Sequence, residues 1–316
     1  MVVMNDSPQI SPEHKQITRE TLAQLPKVIL HEHLGAAGTA ADLEALVRTN
    51  VGELADDGVV YAELRFHPEL AEMDFGESVD AAVRACAAAE GIDARLIITA
   101  MRQLDNVDEL ARLTVEKRQA TDRIVGFDLA GDDTRLDAHV DALRHLREHY
   151  VPVTLHCSGD LAQITEAVNL GAQRIGHGLN IIDDFEVSLD GIRTGPVSTW
   201  VRDRGLALEL SPALEEKMGL VEEYADHPLT LLQQMGFAVV VGPGQTEVTS
   251  TTDEFLRLVE TFDYGLDELF DLTRAAIEHS FAPVERRQEL LQQVLGHYES
   301  LADEQDLDAA AHEHEH

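Results

Sequence analysis

Eight stretches of nearly uninterrupted apolar, β-favouring residues punctuate the chain, at residues 28–33, 59–67, 94–102, 124–130, 153–158, 174–179, 206–212 and 238–243. Continuous apolar runs, rather than strict alternation, are what strands covered on both faces look like. Between them the spacing turns helical. Leu104, Val107, Leu110, Ala111 and Leu113 recur on one helical face, as do Val140, Leu143 and Leu146. Strand and helix in regular succession predict a parallel sheet. Eight such units with no surplus strand predict that the sheet closes, giving an α/β fold of the (β/α)8 TIM barrel type. No Gly-x-Gly-x-x-Gly turn follows the first strand, so the mark of an open dinucleotide-binding sheet is missing.

Three further helical segments, 253–262, 266–281 and 283–301, follow the eighth strand as additional C-terminal helices. A barrel of this kind absorbs 316 residues without dividing. No internal repeat and no Pro/Gly/Ser-rich linker marks a boundary. The expected organisation is an N-terminal extension over 1–24, the barrel over 25–301, and an acidic His/Glu tail over 302–316. The tail is expected to be disordered, and its alternating His and Glu are not read as a site.

Composition narrows the partners more than the chemistry. Apolar residues at 44% supply a large core. Against 59 Asp plus Glu stand 24 Lys plus Arg, a net charge of −35, which excludes nucleic acid and anionic membranes as partners. The bland reading is a solvated acidic surface. Two cysteines, Cys86 and Cys157, are too few for a disulfide framework. No basic start leads into an apolar run, and no segment reaches the length of a membrane span. The expected location is cytoplasmic, and the oligomeric state is left open, a homo-oligomer included.

Chemistry in such a barrel is expected at the C-terminal ends of the strands, and histidines occupy those ends. His31 and His33 close the first strand, His67 the second and His156 the fifth, while His177 lies in the sixth. Two residues apart on a strand, His31 and His33 leave the same face and can enter the barrel mouth together. With His156 they would offer three nitrogens to a divalent metal that activates water. The duller alternative for any single strand histidine is a hydrogen-bonded core residue. His67, followed by Pro68, is read as structural. His139, His145, His149, His227, His279 and His297 are read as exposed. Cys157, next to His156, should face the surrounding helices.

These residues resemble the adenosine deaminase family, in particular its bacterial branch. Leu25-Pro26-Lys27-Val28-Ile29-Leu30-His31-Glu32-His33-Leu34 is similar to that family's first-strand motif. Gly58-Val59-Val60-Tyr61-Ala62-Glu63-Leu64-Arg65-Phe66 resembles the second, Gly126-Phe127-Asp128-Leu129-Ala130-Gly131-Asp132 the fourth, and Arg174-Ile175-Gly176-His177-Gly178 the sixth. The similarity runs over residues 25–298. It implies a zinc-dependent hydrolase that removes the 6-amino group of adenosine or a related purine. By position it implies His31, His33 and His156 as zinc ligands and His177 as the histidine that orients the attacking water. Gly131, Asp132 and Gln245 are the implied substrate contacts, with a purine nucleoside as the small-molecule partner.

The sequence departs from the family in four places. The fifth strand's proton-shuttling Glu position is Gly159, in His156-Cys157-Ser158-Gly159-Asp160, so Asp160 one residue later is the candidate proton donor. The eighth strand's metal-binding Asp position is Gly244, in Val241-Gly242-Pro243-Gly244-Gln245-Thr246-Glu247. The segment between the first two strands, 34–58, is short, which predicts an open pocket. Gly35-Ala36-Ala37-Gly38 lacks the Asp that touches the ribose. Three readings follow: a deaminase in which Asp160 or Glu247 replaces the lost acids, an inactive paralogue that binds or regulates, and a three-histidine metal hydrolase of another substrate.

Overall fold

All eight expected strands form in the computed structural model, which describes residues 17–131 and 136–313. They are β1 (Lys27–His33), β2 (Val59–Phe66), β3 (Asp93–Met101), β4 (Ile124–Ala130), β5 (Val153–Cys157) and β6 (Arg174–His177). An unanticipated antiparallel hairpin, β7 (Phe185–Ser188) with β8 (Gly191–Thr194), precedes the last two barrel strands, β9 (Ala207–Leu210) and β10 (Val239–Val241). The barrel strands pair in parallel in the order β1-β2-β3-β4-β5-β6-β9-β10. Closure between last and first strand rests on a parallel bridge, Glu32 to Gly244, in which His33 N–H donates to the Gly244 carbonyl at 3.0 Å.

Helices α1 (Arg19–Gln24), α2 (Ala40–Asp56), α3 (Phe75–Ala87), α4 (Val107–Ala120), α5 (Val140–Glu148) and α6 (Leu161–Leu170) surround the first half. Then come α7 (Pro196–Asp203), α8 (Pro212–Met218), α9 (Leu229–Gln234), α10 (Thr251–Phe262), α11 (Leu266–His279) and α12 (Val284–Glu313). Their ends follow local chemistry. A Thr39/Asp42 capping box starts α2, and Gly171, at φ 88°, closes α6 in the left-handed region that glycine enters without cost. α1 places Leu22 in the core, so part of the expected extension packs on the barrel. α12 runs past residue 301 through most of the expected tail. Among the described residues no helix is long and apolar enough to cross a membrane.

Alternate residues of each strand share a face, so the pleat that sends Leu, Ile and Val toward the helices sends another set into the barrel. That inner set is polar. Glu63, Arg65, Asp128, Thr154, Arg174 and Glu209 are all buried. Arg174 lies between two of these carboxylates, with Nη1 2.7 Å from Glu63 and Nε 2.6 Å from Glu209.

Candidate metal centre

β1 ends in His31-Glu32-His33, and the pleat turns the two histidines inward and Glu32 outward. Glu32 is buried on that side, accepting hydrogen bonds from Asn50 and Thr246, and burial pushes its carboxyl up to about 7. His156, next to last in β5, meets the inward pair. The three Nε2 atoms form a triangle: His31 to His33 at 3.0 Å, His33 to His156 at 3.2 Å and His156 to His31 at 3.2 Å.

The other ring nitrogens fix the tautomers. His31 Nδ1 donates to Glu209 at 3.1 Å and His156 Nδ1 to Asp128 at 3.0 Å. Each Nδ1 therefore carries the proton, and each Nε2 presents a bare lone pair to the other. His33 Nδ1 lies 2.9 Å from His67 Nε2. A proton on His33 Nε2 could relieve only one of the three facing pairs. Burial first, then the Arg65 charge and the neighbouring imidazoles, lowers the pKa of His31 below the ordinary imidazole value. Burial does the same for His33 and outweighs the opposing pull of Asp128 on His156. Neutral imidazoles with converging lone pairs are the donor set of a divalent ion, and the residues fit zinc. Among the described residues these three form the one group of ionisable side chains close enough together to share an ion, and no carboxylate joins them.

The supports behind the three histidines come from strand interiors. Arg65 donates through Nε to Asp128 at 3.2 Å, through Nη1 to the Leu30 carbonyl and through Nη2 to Glu209. One guanidinium thus links the carboxylates that hold His156 and His31. Burial works to raise the Asp128 carboxyl, but its neighbours His156 and then Arg65 hold it below the usual carboxylate range. Asp128, Glu209 and Arg65 carry no site role in the sequence reading; for Asp128 and Glu209 a single charge inside an apolar strand run is the available signal.

His177, the last residue of β6, faces the triangle with its ring centroid 5.3 Å from His31 and 5.5 Å from His156. Its φ of 60° is left-handed, an unusual state for a residue with a Cβ, and Gly178 follows at 78°. His177 Nδ1 donates to Glu215 Oε1 at 2.7 Å, and His227 Nε2 donates to Glu215 Oε2 at 2.7 Å. His227, expected to be exposed, is 4% exposed. The Pro212 turn that starts α8 and the His227-Pro228 turn before α9 fold these side chains inward.

The remaining expected site residues lie apart from the triangle. Asp160 is exposed and caps α6, accepting from Gln163 N–H at 3.2 Å. Gln245 is exposed on the loop after β10, and Gly131 follows β4 at φ 111°. Asp132 lies outside the described residues. Glu247 is exposed and, with His33, Asn50, Glu53 and Thr246, lines a cavity of about 530 Å³. Cys157 is buried, and burial pushes its thiol up to about 12, which removes it as a nucleophile. Gly244 is crowded: a Cβ there would meet Leu214 Cδ2 at 2.6 Å and Ser211 Oγ at 2.8 Å, so these side-chain ends would have to shift, and the φ of 69° is strained for a residue with a Cβ.

A family model described as adenosine deaminase matches residues 17–297. An adenosine deaminase of Mycobacteroides abscessus is 37% identical over 281 residues, 83% of this chain and 77% of that protein. Arabidopsis ADAL complexed with IMP has a TM-score of 0.77 at 18% identity, over 89% of this chain and 99% of that one. A Burkholderia ambifaria amidohydrolase with bound zinc has a TM-score of 0.76 at 18% identity, over 90% and 93%.

Proposed function

Because the chain belongs to the adenosine deaminase family, we propose that it is a metal-dependent hydrolase that removes an amino group from a purine nucleoside or a related ring. The observation that carries this reading is the triangle of converging Nε2 atoms on His31, His33 and His156, of which those of His31 and His156 present bare lone pairs. Zinc held by these three supplies water activation at neutral pH. His177, with its Nε2 free, takes the proton that the attacking water releases and keeps that water oriented. Gly131, Asp132 and Gln245 are the proposed contacts to the purine. Asp160 is the proposed alternative proton donor, and to act it would have to leave its cap on Gln163.

A second reading, a barrel that binds a purine-like ligand without turnover, is favoured by the absence of a carboxylate from the histidine group among the described residues. Two measurements on the full chain separate them. Zinc per chain is compared between wild type and H31A/H156A, which leaves the tail histidines in place, and conversion of adenosine to inosine is followed by ultraviolet absorbance. One zinc lost with the double substitution, together with inosine formation, supports the hydrolase. Zinc without inosine favours the binding reading, or a three-histidine hydrolase of another substrate. Equal zinc in both proteins would sink the metal site.

A further inference from the structure

The carboxylate missing from the eighth strand has a counterpart that reaches the site from another direction. The space beside Gly244, where a side chain would begin, is taken by Leu214 Cδ2 and Ser211 Oγ. Both belong to the segment Ser211-Pro212-Ala213-Leu214-Glu215, which leaves β9 and turns into α8. The segment that closes off the eighth-strand position therefore delivers a carboxylate four residues after its first member. Glu215 is 0% exposed, and neither of its oxygens is idle.

Hydrogen bonding determines the direction of every link. Leu229 N–H donates to His227 Nδ1 at 3.1 Å, so that nitrogen is an acceptor and the His227 proton sits on Nε2, directed at Glu215. Glu215 Oε1 then accepts a hydrogen bond from His177 Nδ1–H. His177 is left with a lone pair on Nε2, in the ring that faces His31 and His156. Its left-handed backbone is a conformation that persists only where surrounding contacts over-determine it, and the buried hydrogen bond to Glu215 is such a contact.

We propose that Glu215, oriented by His227, is a positioning residue that holds His177 in the Nδ1–H tautomer, with Nε2 presented to the histidine cluster as a proton acceptor. It brings from α8, the helix after β9, a buried carboxylate to the side of the barrel mouth where Gly244, after β10, bears none. When water gives up a proton, that proton moves to His177 Nε2. The resulting imidazolium faces Glu215, and no further co-reactant is needed for the transfer. The role of His177 as the acceptor rests on the hydrolase reading. The tautomer does not.

Nitrogen-15 NMR of the histidine side chains in the zinc-loaded full chain reads the tautomer directly, with H177Q identifying the resonance. Wild type is expected to show His177 protonated on Nδ1. E215A is expected to shift it substantially toward Nε2–H, with zinc content unchanged. H227Q, which keeps the buried carboxylate and removes its second partner, is expected to shift it less, and it serves if E215A does not fold. If wild type turns over adenosine, kcat in E215A falls by about 100-fold while KM stays within about threefold. His177 protonated on Nε2 in wild type, or an unchanged tautomer in whichever variant folds, would overturn the proposal. Absent turnover with the expected tautomers would instead overturn the deaminase reading alone.

Discussion

Asp128 accepts a hydrogen bond from Nδ1 of His156 at 3.0 Å, and both side chains are buried. The carboxylate aims the ring and raises its basicity toward an ion on the far nitrogen, an effect typically worth 10–100-fold in metal affinity. D128N is therefore expected to weaken zinc binding by about 10–100-fold, measured by competition with a chromogenic chelator. Unchanged affinity in a folded D128N protein would mean that His156 does not hold the ion.

Restoring an aspartate at the eighth strand is not expected to restore a ligand. G244D places a Cβ 2.6 Å from Leu214 Cδ2. Overpacking of this kind costs about 1–3 kcal/mol, and urea unfolding should register it as a lower midpoint. Shortening the neighbour in G244D/L214A should recover part of the loss. A stable G244D protein that binds zinc more tightly would show that the segment before α8 yields easily.

Arg174 counters Glu63 and Glu209 with all three groups out of water. R174M removes the cation and leaves two carboxylates buried without it. The expected loss is about 3–5 kcal/mol, read from chemical denaturation. A loss below about 1 kcal/mol, the range of exposed pairs, would indicate that water reaches the barrel interior.

Glu254 gives a pH signature. Burial pushes its carboxyl up to about 7, against a reference value of 4.5, while hydrogen bonds from Tyr224 and Ala213 pull the other way. A folded-state pKa above the unfolded one means that its contribution is fully present below about 4.5 and is lost as pH rises through about 7. E254Q carries no such charge. The melting temperature of E254Q relative to wild type should therefore climb between pH 5 and pH 8, and a difference that stays flat would contradict the burial argument.

The barrel was legible because each strand is an apolar run long enough to stand out, and because helical spacing separates the runs. The β7–β8 hairpin was not: Phe185–Ser188 and Gly191–Thr194 are four residues each and expose most of their side chains, so no apolar run announces them. The histidine triangle was legible from the two-residue spacing of His31 and His33 and from strand-end position. Its supports were harder. Glu209 and Asp128 are single charges whose partners lie 178 and 28 residues away in the chain. His227 sits in a loop context that reads as exposed, and only the fold brings Glu215 to cover it.

Arg65 reaches Asp128 on one side and Glu209 on the other, and so couples the orientation of His156 to that of His31 across the barrel. β2 must dock against β1, β4 and β9 must be in register, and only then do the two rings acquire a common aim. A metal held by all three histidines would consequently require the finished barrel, since His31 and His156 meet only once β1, β2, β4, β5 and β9 are in place. Metal titrated into a refolding chain should meet either a finished site or none.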